Sequence, residues 1–280
     1  MKLILSRKGV DSSAGGFPSP IFPDGSMQSI AIPDVRAPVT YGDIKSDNDV
    51  GRLVHQLSAG KLRRRDRVHL DPDLASWQLD RKPDWRPLFG QCGAAQTHLQ
   101  SLGVAEGDIF LFFGWFKQVE WKRRRWCFVA GAPDQHVIFG WLQIDSIHLV
   151  ASVIDQSLLS RLNYHPHFHG SFSGQNTVYE APRFLDIGGL EACAGGGVFA
   201  QYHPIRCLTA VGRSRSIWKL PPWMHPVKRQ SVLSYHGDAG RWEKKNNSVE
   251  LRSAARGQEF VLDLGHYPEG VQWIRELFAA

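Results

Sequence analysis

Gly107-Asp108-Ile109-Phe110-Leu111-Phe112-Phe113 opens the stretch around which the 280-residue chain is arranged. Gly-Asp is a turn signal, and the apolar, aromatic run behind it has the length and composition of a buried strand. A second run, His136-Val137-Ile138-Phe139-Gly140-Trp141-Leu142-Gln143-Ile144, continues to Ile147-His148-Leu149-Val150 and supplies the partner strand. Between the two, Trp121-Lys122-Arg123-Arg124-Arg125-Trp126 sets four cations between two indoles, a basic insert where a polar hairpin tip is the ordinary expectation. The strands read as scaffold, and the insert as a contact surface for an anionic partner.

Composition narrows the class of protein. With 42% hydrophobic residues the chain can bury a sizeable core, and a net charge of +6 favours nucleic acid or a nucleotide as partner. Cys92, Cys127, Cys193 and Cys207 are widely spaced and form no C-x-x-C, so neither a zinc knuckle nor a disulfide framework is expected, and a cytoplasmic setting fits. Met1-Lys2-Leu3-Ile4-Leu5-Ser6 is too short for a signal peptide, and no 18-residue apolar run exists. Neither export nor a membrane span is expected. The oligomeric state is not written in these features.

Residues 2–5 predict a first strand, followed by Ser6-Arg7-Lys8-Gly9-Val10-Asp11-Ser12-Ser13 and a glycine- and proline-rich series. Cations, small hydroxyls and glycine directly after a strand suit an anion site, with Ser6, Arg7, Lys8 and Ser12 as phosphate contacts. The alternative is a polar connection whose glycines only shape turns. No Walker A loop, G-x-G-x-x-G after a strand, H-E-x-x-H or EF-hand loop is present, so the cofactor is left open.

Ser46-Asp47-Asn48-Asp49 offers an N-cap for a helix over 49–59, and Lys61-Leu62-Arg63-Arg64-Arg65-Asp66-Arg67 behind it is a second basic cluster, read first as solvated surface. In His69-Leu70-Asp71-Pro72-Asp73 the aspartates could serve a metal or a general base, although Asp-Pro-Asp is above all a turn initiator. Leu88, Cys92, Ala95, Leu99 and Leu102 lie at helical spacing and predict a helix over 86–102. A helical segment around 154–162 leads to His165-Pro166-His167-Phe168-His169, whose alternate histidines share a face if the piece is extended. A metal would need a further ligand, and no carboxylate is near in sequence, so no residue is assigned to a metal. His165 and His167, with Asn176, Gln258 and Glu259, are expected to line a polar pocket.

Trp115, Trp141 and Trp218, with Trp223, are candidate base-stacking platforms beside lysine and arginine, against the ordinary reading of tryptophan as core. The last third gathers Tyr235-His236-Gly237-Asp238, Arg241 and Arg256-Gly257-Gln258-Glu259-Phe260. Here His236 is the candidate acid or base, Asp11 or Asp238 its orienting carboxylate, Tyr235 a further catalytic group and Arg256 an anion contact. Spacing at Val271, Ile274 and Leu277 predicts a final helix over 268–278.

Several of these stretches together resemble the nucleotide modification associated domain 3 family, a group linked to base-modification systems in bacteria and their phages. They are Ser6-Arg7-Lys8-Gly9 with Asp11-Ser12, Pro18-Ser19-Pro20-Ile21, Gly107-Asp108 with its aromatic strand, Phe139-Gly140-Trp141-Leu142-Gln143, His165-Pro166-His167, Asn176-Thr177-Val178-Tyr179 and Arg256-Gly257-Gln258-Glu259-Phe260. The resemblance implies a pathway and leaves the reaction open. The central stretch alone is also similar to the core of PUA-like barrels, including ASCH and EVE domains. The expected architecture is α+β, one unit over 1–280 with a possible subdivision near 105, built on a mostly antiparallel, barrel-like and PUA-like sheet with peripheral helices. The expected function is an enzyme making or altering a modified base; the alternative is a reader that binds such a base through an aromatic, basic pocket.

Overall fold

A computed structural model describes residues 1–280 apart from Ile154, Lys228, Arg229, Arg256 and Gln258. The fold is α+β, with several sheets and short helices at their margins. Strand Ile109–Lys122 lies at the centre of a mixed sheet whose order is Gly196–Val198, Gln135–Gln143, Ile109–Lys122, Lys2–Arg7 and Glu259–Asp263. Lys2–Arg7 runs parallel to it, from Leu3 opposite Ile109 to Arg7 opposite Phe113, and Gln135–Gln143 runs antiparallel. Parallel neighbours need a long crossover, and residues 8–108 supply it.

The run Ile109 to Phe113 shows no polar alternation because both of its faces are covered. Ile109, Leu111 and Phe113 enter one core with Trp218, Leu251, Phe260 and Ile274, whereas Phe110 and Phe112 enter another with Phe89, Leu99, Phe139 and Tyr179. The first face is roofed by the three-stranded sheet of Ile217–Leu220, Val249–Arg252 and Trp242–Lys244, together with helix Glu269–Ala279. Across the other lies a sheet ordered Leu88–Cys92, Asn176–Glu180 and Ser146–Leu149. These sheets are separate, and no closed barrel is found among the described residues. None of the described helices is long and apolar enough to cross a membrane.

Two local expectations are corrected. The helix expected over 86–102 is strand Leu88–Cys92 followed by helix Gly93–Ser101. Gly93, at φ +58°, breaks the two apart, and Leu88 and Phe89 face tertiary neighbours that a helix would not reach. The basic insert is itself a hairpin: Ile109–Lys122 continues to Lys122 and returns as Arg125–Phe128, with Arg123 and Arg124 at positive φ forming the two-residue turn. Helix Val50–Leu57, capped by the Asp49 carboxylate, packs against that return strand, with the Trp126 N–H donating to Gln56 Oε1 and Arg52 donating to the Arg124 carbonyl.

Candidate active site

Leu88–Cys92 is an edge strand, and its free edge organises the site. Asp73 exchanges both backbone hydrogen bonds with Leu88, and the Gly90 N–H donates to Asp71 Oδ1 at 2.7 Å. The turn of residues 71–73 is thereby laid along the strand, with the Asp71 carboxylate buried against it. Asp73 is a structural anchor that accepts from Arg81 and, at 2.7 Å, from the Tyr164 hydroxyl.

Three imidazoles converge on Asp71. His165 Nε2 lies 3.3 Å from Oδ1, while His167 Nε2 and His69 Nε2 lie 3.6 and 3.8 Å from Oδ2. His69, Asp71 and His167 each offer a donor atom within 4.8 Å of the others, an arrangement able to hold a metal ion. Gly90 makes this possible, because a Cβ there would stand 2.2 Å from His167 Cδ2. Burial pushes the Asp71 carboxyl up, but its imidazole surroundings, His165 foremost, work against burial and the carboxyl lies well below the usual carboxylate range. The His165 ring, fully enclosed, is pushed down to about 4 by burial.

This cluster forms part of the wall of a cleft of about 450 Å³, lined also by Arg7, Lys8, Asp11, Arg36, Gln91, Cys92 and Phe172. Pockets of this size suit a base or a nucleoside. Arg7 is held by the carbonyls of Ala254, Ala255 and Gly257, and Lys8 pairs with the buried Glu259 at 2.9 Å. Gln91 donates to the same Glu259 oxygen at 2.6 Å. Asp11 accepts from the backbone and hydroxyl of Ser13 and from the Ala14 N–H. Burial raises its carboxyl, yet these bonds bring it below the ordinary range.

Among the residues expected at the site, Arg7, Lys8, Asp11 and His167 line this cleft; His165 and Asn176 stand directly behind His167, and Glu259 behind Lys8. Ser6 is fully buried and Ser12 accepts from Arg215 at 2.6 Å outside the cleft. His236 is elsewhere and wholly buried, its Nδ1 donating to the Ser234 carbonyl and its Nε2 accepting from the Ala254 N–H, which leaves no ring atom for proton transfer. Asp238 is exposed and caps a short turn through Gly240, and Tyr235 packs on His98, so neither orients His236. Trp218 is buried and donates to His136 Nδ1; Trp141 packs between Phe199 and Phe278; Arg215 lies over the Trp115 ring at 4.0 Å. A base cannot reach Trp218, because its ring belongs to the core. Trp223 packs on Tyr267 and Trp273. Lys122, Arg123, Arg124 and Arg125 project from the hairpin tip beside the half-exposed Trp121. Arg256 and Gln258 lie outside the described residues.

Sequence reasoning passed over the pairing of His69 and Asp71 with His165 and His167. The only signal was that both segments place acid or imidazole at alternate positions beside a proline. Asp34, Gln91 and Phe172 carried none.

A family model described as nucleotide modification associated domain 3 matches residues 2–263. No curated protein and no solved structure matches the chain significantly.

Proposed function

Because the chain belongs to the nucleotide modification associated domain 3 family, we propose that it is an enzyme that makes or alters a modified base, and that the base is worked on at the His–Asp end of the cleft. The carrying observation is the buried Asp71 carboxylate with three imidazoles directed at it, opening into a cleft of nucleoside size. Binding alone needs hydrogen-bond donors and an aromatic face; three histidines around one carboxylate supply proton transfer or metal ligation, which are tools of chemistry. Phe172, stacked on the His167 ring at 4.7 Å with planes 6° apart, gives the cleft an aromatic wall, and Arg7, Lys8 and Arg36 set cationic groups along it, Lys8 paired with Glu259 and Arg36 with Asp34. The hairpin tip with Trp121 and its cations suits contact with a nucleic-acid backbone, so that the polymer and the reacting base are handled by different parts of the chain. The reader alternative has less support, since Trp141 and Trp218 are committed to core neighbours.

Mass spectrometry of nucleosides from the DNA and RNA of cells expressing the wild-type chain or Asp71→Asn tests this reading. A nucleoside that changes in abundance with the wild type and not with the variant is the expected result. Identical nucleoside profiles, with both proteins folded, would refute an enzymatic role for the cluster.

A further inference from the structure

We propose that His69, Asp71 and His167 bind one divalent first-row transition-metal ion through His69 Nε2, His167 Nε2 and Asp71 Oδ2. The inference rests on the reading of this cluster as the reacting end of the cleft, and it is carried by where the protons on the rings must lie.

The Asn176 amide Nδ2 donates to the His167 carbonyl at 2.8 Å, which fixes its Oδ1 toward His167 Nδ1, 2.5 Å away. An amide oxygen only accepts, so His167 carries a proton on Nδ1, and in the neutral ring, the form that binds a metal, the bare Nε2 lone pair is turned to Asp71. His69 repeats the arrangement with Asp34. The Arg36 guanidinium grips both oxygens of Asp34, and Asp34 Oδ2 lies 3.2 Å from His69 Nδ1. The neutral His69 ring is thus also protonated on Nδ1 and bare on Nε2. Two nitrogen lone pairs then face the lone pairs of one carboxylate oxygen at 3.6 and 3.8 Å, an arrangement that is repulsive unless a cation lies between them.

His165 is the contrast that identifies the ligands. Its Nδ1 accepts the His167 N–H at 3.4 Å, which puts the proton of the neutral ring on Nε2, 3.3 Å from Asp71 Oδ1. That Nε2 is wholly buried and lacks a well-aligned hydrogen-bond partner. The Gly90 N–H donates to Oδ1, so that oxygen is engaged and Oδ2 is left for the ion. His165 is a positioning residue, not a ligand.

Three donors about 2.05 Å from a tetrahedral ion are about 3.3 Å apart, so the two separations to Oδ2 must close by about half an ångström or less. Two imidazoles and one carboxylate, each imidazole oriented by a second acceptor, suit ions such as iron(II), cobalt(II) or zinc(II) with positions left open toward the cleft. Calcium and magnesium prefer oxygen ligands and are disfavoured.

The test uses the full chain, stripped with chelator and titrated with zinc(II) by calorimetry and with cobalt(II) by visible absorption. One ion per chain is expected, with His69→Ala and His167→Ala lowering affinity by at least about 100-fold and Asp34→Asn or Asn176→Ala by about 10- to 100-fold. The Asp34 and Asn176 variants keep the test decisive should a ligand variant fail to fold, and thermal melts of each identify that case. Wild-type protein that takes up no stoichiometric ion, or variants as tight as wild type, would overturn the proposal. The function is scored separately by the nucleoside comparison of wild type and Asp71→Asn: a nucleoside change that depends on Asp71, without metal uptake by the purified chain, sinks the metal site and leaves the enzymatic reading standing.

Discussion

Replacing Gly90 with alanine should disable the site while leaving the fold nearly intact. The substitution keeps the N–H that holds Asp71, and Gly90 is not in the left-handed region, so the backbone tolerates a side chain. The new Cβ, however, would lie 2.2 Å from His167 Cδ2, 2.5 Å from Cγ and 2.6 Å from Nε2, against about 3.4 Å for an ordinary contact. The ring must therefore retreat by about 1.2 Å, taking 3.4 less 2.2, although Asn176 holds it on one side and Phe172 stacks on its face. Overpacking of this kind costs about 1–3 kcal/mol, a drop of several degrees in Tm for a chain of this length. Metal–ligand distances are held to about 0.2 Å, and a ring driven back by this much cannot make the smaller closure the ion requires, so affinity should fall by about 100-fold or more, and a comparable displacement of a catalytic group costs turnover on the same scale. Gly237→Ala, where a Cβ meets nothing within 4 Å, is the control. Melting curves and metal titration of the two variants check the reasoning. Gly90→Ala with wild-type metal affinity would show that the position of the His167 ring is not what the site depends on.

The remaining predictions concern other parts of the molecule. His236→Leu strands the Ser234 carbonyl and Ala254 N–H in the core and should destabilise by about 3 kcal/mol; residual turnover per folded molecule should be unchanged, and a selective loss of turnover in urea-calibrated samples would restore a catalytic role. Although burial pushes the Glu180 carboxyl up, contacts with His148 and Arg161 bring it from an ordinary 4.5 down to about 2. Its folded value is depressed, so its contribution, on the order of 3 kcal/mol, is present above pH 4.5 and lost as the pH falls through 2. Glu180→Gln should flatten the acid limb of the stability curve, and an unchanged slope in denaturant titrations between pH 2 and pH 5 argues against this origin. Replacing Lys122, Arg123, Arg124 and Arg125 with alanine should weaken binding to any DNA or RNA and reduce the dependence of log affinity on log salt by up to about 3 to 4; an unaltered salt slope would place the nucleic acid elsewhere.

The fold was legible where local chemistry agrees with tertiary need. Asp49 caps its helix because a carboxylate there meets an orphan N–H, and the aromatic run after Gly107-Asp108 is a strand whichever face it turns. The pattern misled at residues 88–92. A strand buried on both faces shows no alternation, so Leu88 and Cys92 joined the helical spacing of Ala95 and Leu99, and only the left-handed φ of Gly93 separates the two elements. The tryptophans misled for a related reason. An indole beside lysine or arginine reads the same in sequence whether it faces solvent, as Trp121 does, or fills the core, as Trp218 does.

The site was legible only in its parts, and the limit is physical. His69-x-Asp71 and His165-x-His167 have the same spacing, and alternate positions in extended backbone bring two side chains to one side. Which side chains become ligands is decided one bond further out. Asp34 and Asn176 accept from Nδ1 and leave Nε2 bare, while the His167 N–H occupies Nδ1 of His165 and puts a proton on its Nε2. Two histidines of one motif thus present opposite polarity to the same carboxylate, one a lone pair and one a donor. Spacing can nominate a metal site, but the hydrogen bonds behind the rings determine its valence. Exchanging these roles makes the same point experimentally. Asn176→Asp, whose carboxylate still accepts from Nδ1, should preserve metal affinity to within about 10-fold, whereas Asn176→Leu, which leaves His167 free to move its proton to Nε2, should lose about 10- to 100-fold. Equal losses in the two variants would mean that Asn176 acts through packing and not by fixing the proton.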